Sequence, residues 1–126
     1  MRLLMLATVG GGIGAGARYL VQAGMMHALG AGFAWWTIAI NIGGSFLMGV
    51  VATMVALRFG GSAEVRTFLA TGILGGFTTF SAFSLDVANL LENKQTLAAA
   101  FYVASSVGLS ILALYAGFAL GKAVWA

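Results

Sequence analysis

Cysteine and proline are absent from the 126 residues, and charge is nearly as scarce. Without cysteine there is neither a disulfide framework nor a thiolate metal site. One histidine and three acidic residues are too few for a zinc centre or a di-metal carboxylate cluster. No Ser-His-Asp constellation can be assembled from them either, so the chain does not read as an enzyme. Charged residues make up 7% of the chain, against about 25% in an ordinary soluble domain. The net charge of +3 is spread thinly, with no basic stripe and interleaved aromatics of the kind that binds nucleic acid. What fills the chain instead is 61% hydrophobic residues and 19 glycines, at a mean hydropathy of +1.03. A fold of this size cannot cover its surface with so few polar groups. Its apolar surface must face lipid.

A bilayer core about 30 Å thick takes roughly 20 apolar residues as helix. Four stretches qualify, at about 3–29, 33–57, 67–91 and 96–121, and together they fill residues 1–126 as a single transmembrane domain. Arg18 and His27 interrupt the first, Asp86 lies near the end of the third, and the second and fourth carry no charge in their apolar runs. The joints are short: Gly30-Ala31-Gly32, a hydrophilic loop from Arg58 to Arg66, and Glu92-Asn93-Lys94-Gln95. The N-terminus imitates a signal peptide, with Arg2, an apolar run to Val9 and the small residues Ala15-Gly16-Ala17. Apolar character continues through Tyr19 to Met26, which suits a spanning helix better. An even number of spans puts both termini and the Arg58–Arg66 loop on one side, with Arg2, Arg58, Arg66 and Lys122. Lys94 lies on the other side, which Arg18 could join. The positive-inside rule makes the termini cytoplasmic on that weak bias.

Small residues decide how such helices meet. Gly12 and Gly16 form a GxxxG pair, which permits close backbone approach in lipid; it serves either packing within one bundle or self-association. The run Gly72-Ile73-Leu74-Gly75-Gly76-Phe77-Thr78-Thr79-Phe80-Ser81-Ala82-Phe83-Ser84 is poor helix material at mid-membrane depth. A break there frees backbone carbonyls, tolerable only if they are buried in protein or line a polar site, and such carbonyls often coordinate a cation. The competing reading is a continuous helix whose Thr and Ser hydroxyls bond to carbonyls one turn earlier. Phe80 and Phe83 share a face; they serve lipid or core contact, or present positively polarised ring edges to an anion. Asn41 sits mid-membrane in the second span, with Thr37 and Ser45 one turn to either side. Tyr102, Ser106 and Ser110 make a hydroxyl stripe on the fourth. These polar stripes suit interhelical hydrogen bonding or a pathway for a polar solute. No carboxylate lies near a helix centre, as a proton-coupled carrier usually needs. Arg18 either attracts anions at a vestibule or snorkels to the interface, and His27 reads as interfacial.

Three motifs in register resemble the Fluc (CrcB) fluoride channels. Gly11-Gly12-Ile13-Gly14-Ala15-Gly16-Ala17-Arg18-Tyr19 resembles the family's first-helix signature, and Asn41-Ile42-Gly43-Gly44-Ser45-Phe46-Leu47-Met48-Gly49 its second-helix asparagine motif. Gly75-Gly76-Phe77-Thr78-Thr79-Phe80-Ser81-Ala82-Phe83 is similar to its third-helix break. The resemblance covers nearly the whole chain. It implies an all-α membrane protein of four transmembrane helices, the third broken near its middle, assembled as an antiparallel dual-topology homodimer in the cell (inner or plasma) membrane. It further implies passive fluoride export through two pores between the subunits, relieving the anion's toxicity. By motif position Phe80, Phe83 and Asn41 would line the pore, with Tyr102, Ser106, Ser110 and Thr37 adding a polar track. Backbone carbonyls of Gly75 and Thr78 from both subunits would hold a central structural sodium ion. Two positions depart from the family pattern: Ala82, where Thr is more usual, and Asp86, where Glu is commoner.

Fluoride is small and strongly hydrated, so a pore must replace its water with protein donors, for which Asn41, Ser81 and Ser106 are candidates alongside aromatic edges. Binding must be strong enough to admit the ion and weak enough to release it. Two other functions fit a chain of this size. A small four-helix proton-coupled multidrug exporter requires a membrane-embedded carboxylate in its first helix, and none is present there. A non-transporting assembly subunit would use the polar stripes only to bind a partner.

Overall fold

The computed structural model describes residues 1–30 and 32–126, and all regular structure among them is helical. Helix α1 spans Arg2–Leu29 and α2 spans Trp35–Arg58. The third span, Ala63–Glu92, is composite. It opens with α3 (Ala63–Arg66), widens into a π-helical segment (Thr67–Leu74), continues as α4 (Gly75–Phe77), breaks, and resumes as α5 (Ser81–Glu92). Helix α6 runs Thr96–Trp125. All four spans are long and apolar enough to cross a membrane. At about 1.5 Å per residue, the 30 residues of α6 exceed the thickness of a hydrocarbon core, so α6 tilts or projects beyond it.

The boundaries differ from expectation at three places, each with a local cause. The second span begins at Trp35 rather than 33, because Gly30 takes a positive φ of 82° and Ala34 a non-helical conformation; Ala31 of the expected turn lies outside the described residues. The third span starts at Ala63 rather than 67. Gly60 and Gly61, at φ 61° and 76°, reverse the chain in the left-handed region where glycine alone avoids a Cβ penalty. The Ser62 hydroxyl then accepts a hydrogen bond from the Val65 amide (3.3 Å), capping the new helix. The hydrophilic loop is therefore shorter than Arg58–Arg66. Helix α6 continues past Gly121 through Lys122, whose cation lies in its last turn, where the helix dipole favours positive charge.

The spans associate as two close pairs, α1 with the first half of the third span and α2 with α6. Both contacts are backbone-to-backbone. A Cβ on Gly14 would meet the amide nitrogen of Phe77 at 2.8 Å and collide with the Ile73 carbonyl. One on Gly117 would collide with the Phe46 carbonyl and stand 3.0 Å from the Cα of Gly49. Packing of this closeness supplies van der Waals and weak Cα–H contacts in lipid, where the hydrophobic effect between helices is absent. The GxxxG register used inside the subunit is thus Gly10 and Gly14, both buried. Gly12 and Gly16 have open space where a Cβ would stand.

The buried apolar core is small, with Ile38, Ile40, Val55, Leu74, Phe83, Ala99 and Tyr102. Only 11% to 33% of each span's most apolar window is buried within the subunit. Large side chains such as Leu20, Leu97 and Leu112 are outward-facing. That surface is stable only against lipid or another apolar surface.

Candidate functional site: a clamped helix break and its groove

The helix stops after Phe77 because Thr78 turns extended, at φ −80° and ψ 159°. In a continuous helix the amides of Thr79 and Ala82 would return to the carbonyls of Gly75 and Thr78. Here both are diverted to side chains. The Thr79 amide donates to Asn41 Oδ1 at 3.0 Å, and the Ala82 amide donates to Thr79 Oγ1 at 3.1 Å. The first of these is half of a clamp, since Asn41 Nδ2 also donates to the Thr79 carbonyl at 3.1 Å. One side-chain amide thereby satisfies both polar groups of one peptide residue, as a neighbouring strand would. The second satisfies an amide in the first turn of α5 from one residue before its N-cap, Phe80, so Thr79 both ends the break and steadies the start of α5. The hydroxyl back-bonds expected of an unbroken helix also occur, from Thr78 to the Leu74 carbonyl and from Ser84 to the Phe80 carbonyl, each at 3.0 Å. They flank the break instead of preventing it.

The break opens a groove of ≈ 380 Å³ between α2, α5 and α6. Asn41, Phe80, Phe83, Ser106 and Ser110 all line it. Phe83 is buried, whereas Phe80 is 76% exposed and projects outward. Their rings are 5.5 Å apart at 45°, and Phe83 lies nearly parallel to the Tyr102 ring, 5.4 Å away. The Ser106 and Ser110 hydroxyls are buried and have no hydrogen-bond partner among the described residues. A buried hydroxyl without a partner is costly, and most such groups in native proteins are satisfied by something.

The other candidate residues lie elsewhere. Thr37 and Tyr102, 1% and 0% exposed, both donate to Asp86 Oδ2, at 3.0 Å and 2.6 Å. Tyr102 thus belongs to the stripe of Ser106 and Ser110 by spacing, but its hydroxyl is engaged by a carboxylate outside the groove. Thr37, Ser81 and Arg18 line a second cavity on the far side of the break, together with Thr79 and Asp86. Ser81 Oγ is 3.5 Å from Thr79 Oγ1, at the limit of a hydrogen bond. Arg18 is partly buried in α1; the one salt bridge among the described residues is the exposed pair Arg2–Glu64 (3.4 Å). No cluster of three metal-ligating side chains occurs among the described residues, so a cation held here would need backbone oxygens. Two residues central to this geometry carry no distinct site signal in the sequence. Thr79 was hidden within a run of hydroxyl residues, and Asp86 stood near a helix end with no partner visible in the sequence.

Four apolar spans, the third of them interrupted beside a largely apolar groove that carries a few polar side chains, define a multi-pass membrane protein. The chain belongs to the CrcB family: residues 5–118 match the family described as "CrcB-like protein, Camphor Resistance (CrcB)". It is 48% identical over 124 residues to the fluoride-specific ion channel FluC of Rhizobium meliloti (strain 1021), covering 98% of this chain and 99% of that protein. The protein of the same name from Mesorhizobium japonicum is 53% identical over 121 residues, covering 96% and 97%. That from Rhodospirillum centenum is 50% identical over 120 residues, covering 95% of each.

Proposed function

We propose that this protein is a passive, fluoride-selective channel of the plasma membrane, working as an antiparallel homodimer in which a second subunit closes the groove into a pore. The observation that carries this reading is the pair of unpartnered hydroxyls, Ser106 and Ser110, buried along a groove walled by Phe80 and Phe83. Hydroxyl donors with no protein acceptor are free to replace the water of a small, strongly hydrated anion. Phenylalanine edges add weak positive potential without a fixed charge, which meets the requirement that the ion also leave. A lysine or arginine in the same place would hold it longer. The relatives named as fluoride-specific channels support the choice of anion. The lateral openness of the groove, the exposed Phe80 and the unfilled Gly12–Gly16 face support a second copy as the missing wall.

The Gly75 and Thr78 carbonyls fit a structural sodium ion shared by the two subunits. Both have lost the amides a helix would return to them, and hard cations take oxygen ligands. Bound there, sodium would supply charge that ties the two broken helices together. Its requirement is tested by replacing sodium with a large organic cation and following dimer stability. The channel reading is tested with liposomes containing only the purified protein, loaded with fluoride or chloride and clamped by a potassium ionophore. Rapid fluoride release with little chloride release is expected. No fluoride release from the reconstituted dimer would return the chain to the carrier and assembly-subunit alternatives.

A further inference from the structure

Two cavities beside the third span have two lining residues in common. The outer one, ≈ 340 Å³, is bounded by the Glu92–Gln95 turn, with Asn89, Asn93 and Gln95 contributing amides. The inner one, ≈ 540 Å³, holds Arg18, Gln22, Thr37 and Ser81 and reaches Thr79 at the break. Trp36 and Asp86 are the two residues that line both. Asp86 is fixed in place by Thr37 and Tyr102. Trp36 forms no side-chain hydrogen bond among the described residues and is only partly buried, so no polar contact fixes its indole. The inner cavity needs contact with water. Among the described residues Arg18, midway along α1, has no ion-pair partner, and a guanidinium within a spanning segment is stable only when hydrated or matched by an anion.

We propose that Trp36 is the constriction between the outer cavity and the Arg18 vestibule, setting which solutes pass from water to the inner side of the break. The bulk of the indole admits a small anion with some of its water and excludes larger ones. This assignment rests on the channel reading for its anion, but the constriction itself can be measured without any flux. The chain has no cysteine, so Ala15→Cys places a single thiol in the wall of the inner cavity. Its modification rate by a hydrophilic, anionic thiol reagent then reports access from water.

In this background Trp36→Ala is expected to speed modification about tenfold, equivalent to about 1.4 kcal/mol off the barrier to entry. Trp36→Phe, which keeps a ring but loses the indole N–H, is expected to stay within about twofold of the parent, about 0.4 kcal/mol on the same scale. Size-exclusion elution as a dimer identifies the variants that have folded. Equal rates in all three proteins would overturn the constriction, since the inner cavity would then be reached by another route. Acceleration in the Phe variant equal to that in Ala would overturn it too, because loss of bulk would not be the cause. Fluoride efflux measured on the parent in parallel separates the two ideas: absence of efflux with Ala-accelerated labelling refutes the channel and leaves the constriction standing.

Discussion

Asn41→Ala removes the whole clamp on the break and nothing else of comparable polarity. The amide makes two hydrogen bonds, of 3.1 Å and 3.0 Å, to the carbonyl and the amide of the same residue, Thr79. Each backbone group stranded in a buried site costs about 1–3 kcal/mol, which sets an upper range of about 2–6 kcal/mol for the pair. Measured hydrogen bonds between membrane helices average about 0.6 kcal/mol, which sets a lower value of about 1 kcal/mol for two. A central figure of about 2 kcal/mol corresponds to roughly a thirtyfold rise in local opening. Hydrogen exchange in detergent measures that directly. Protection is expected to fall by this factor at the Thr79 amide, and at Ala82 if the Thr79 cap loosens with it, while α2 and α6 keep theirs. Asn41→Asp separates the two halves of the clamp: an ionised carboxylate still accepts from the Thr79 amide but repels the Thr79 carbonyl. It should therefore protect the amide and still destabilise the break. Unchanged protection at Thr79 in the Ala variant would show that the clamp does not hold the break, whatever the flux assay reports.

Phe80→Ile and Phe83→Ile are expected to cut fluoride efflux from liposomes by at least about tenfold, the scale of a lost pore contact worth about 1.4 kcal/mol, with the dimer retained; wild-type flux in both would remove the rings from the pathway. The double variant Ser106→Ala, Ser110→Ala should lower flux without lowering thermal stability, because neither hydroxyl has a protein partner to lose; a large drop in the unfolding midpoint would mean that the hydroxyls are structural. Gly49→Ala drives a Cβ into the Leu114 carbonyl and to 2.8 Å from the Phe118 amide, so overpacking of about 1–3 kcal/mol is expected in reversible unfolding, against a near-neutral Gly24→Ala, whose Cβ would stand in open space.

Much of this architecture is legible in the residues, and the parts that are not share one physical cause. The break could be read because paired glycines followed by paired threonines weaken a helix locally, whatever surrounds them. The spans could be read because hydrocarbon selects for length and hydrophobicity alone. Which glycines make contact could not: the run from Gly10 to Gly16 contains both Gly10/Gly14 and Gly12/Gly16 at the same spacing, and only the neighbouring helix chooses between them. The π-helical segment Thr67–Leu74 has no local signature for the same reason. It lies where α1 comes closest, with a Cβ on Gly10 standing 2.7 Å from the Phe68 carbonyl. Its register is set across the interface and not along the chain.

Hydrogen-bond donors show the same division most clearly, and it bears on function. Asn41, Thr37, Tyr102, Ser106 and Ser110 look alike in the sequence as polar side chains in apolar helices. In the fold the first three are committed: Asn41 to the Thr79 peptide, Thr37 and Tyr102 to Asp86. A committed donor is stiff, and an anion can claim it only by displacing its acceptor. Ser106 and Ser110 have no acceptor to displace. On the channel reading proposed above, a pathway that must exchange the hydration of a small anion without trapping it would have its natural donors on α6, with Asn41 holding the frame. The carboxylate of Asp86 adds a further condition. It competes with any anion for the protons of Thr37 and Tyr102, so these two join a polar track only when Asp86 moves away. Spacing alone places Tyr102 in the track; the bond to Asp86 makes its membership conditional.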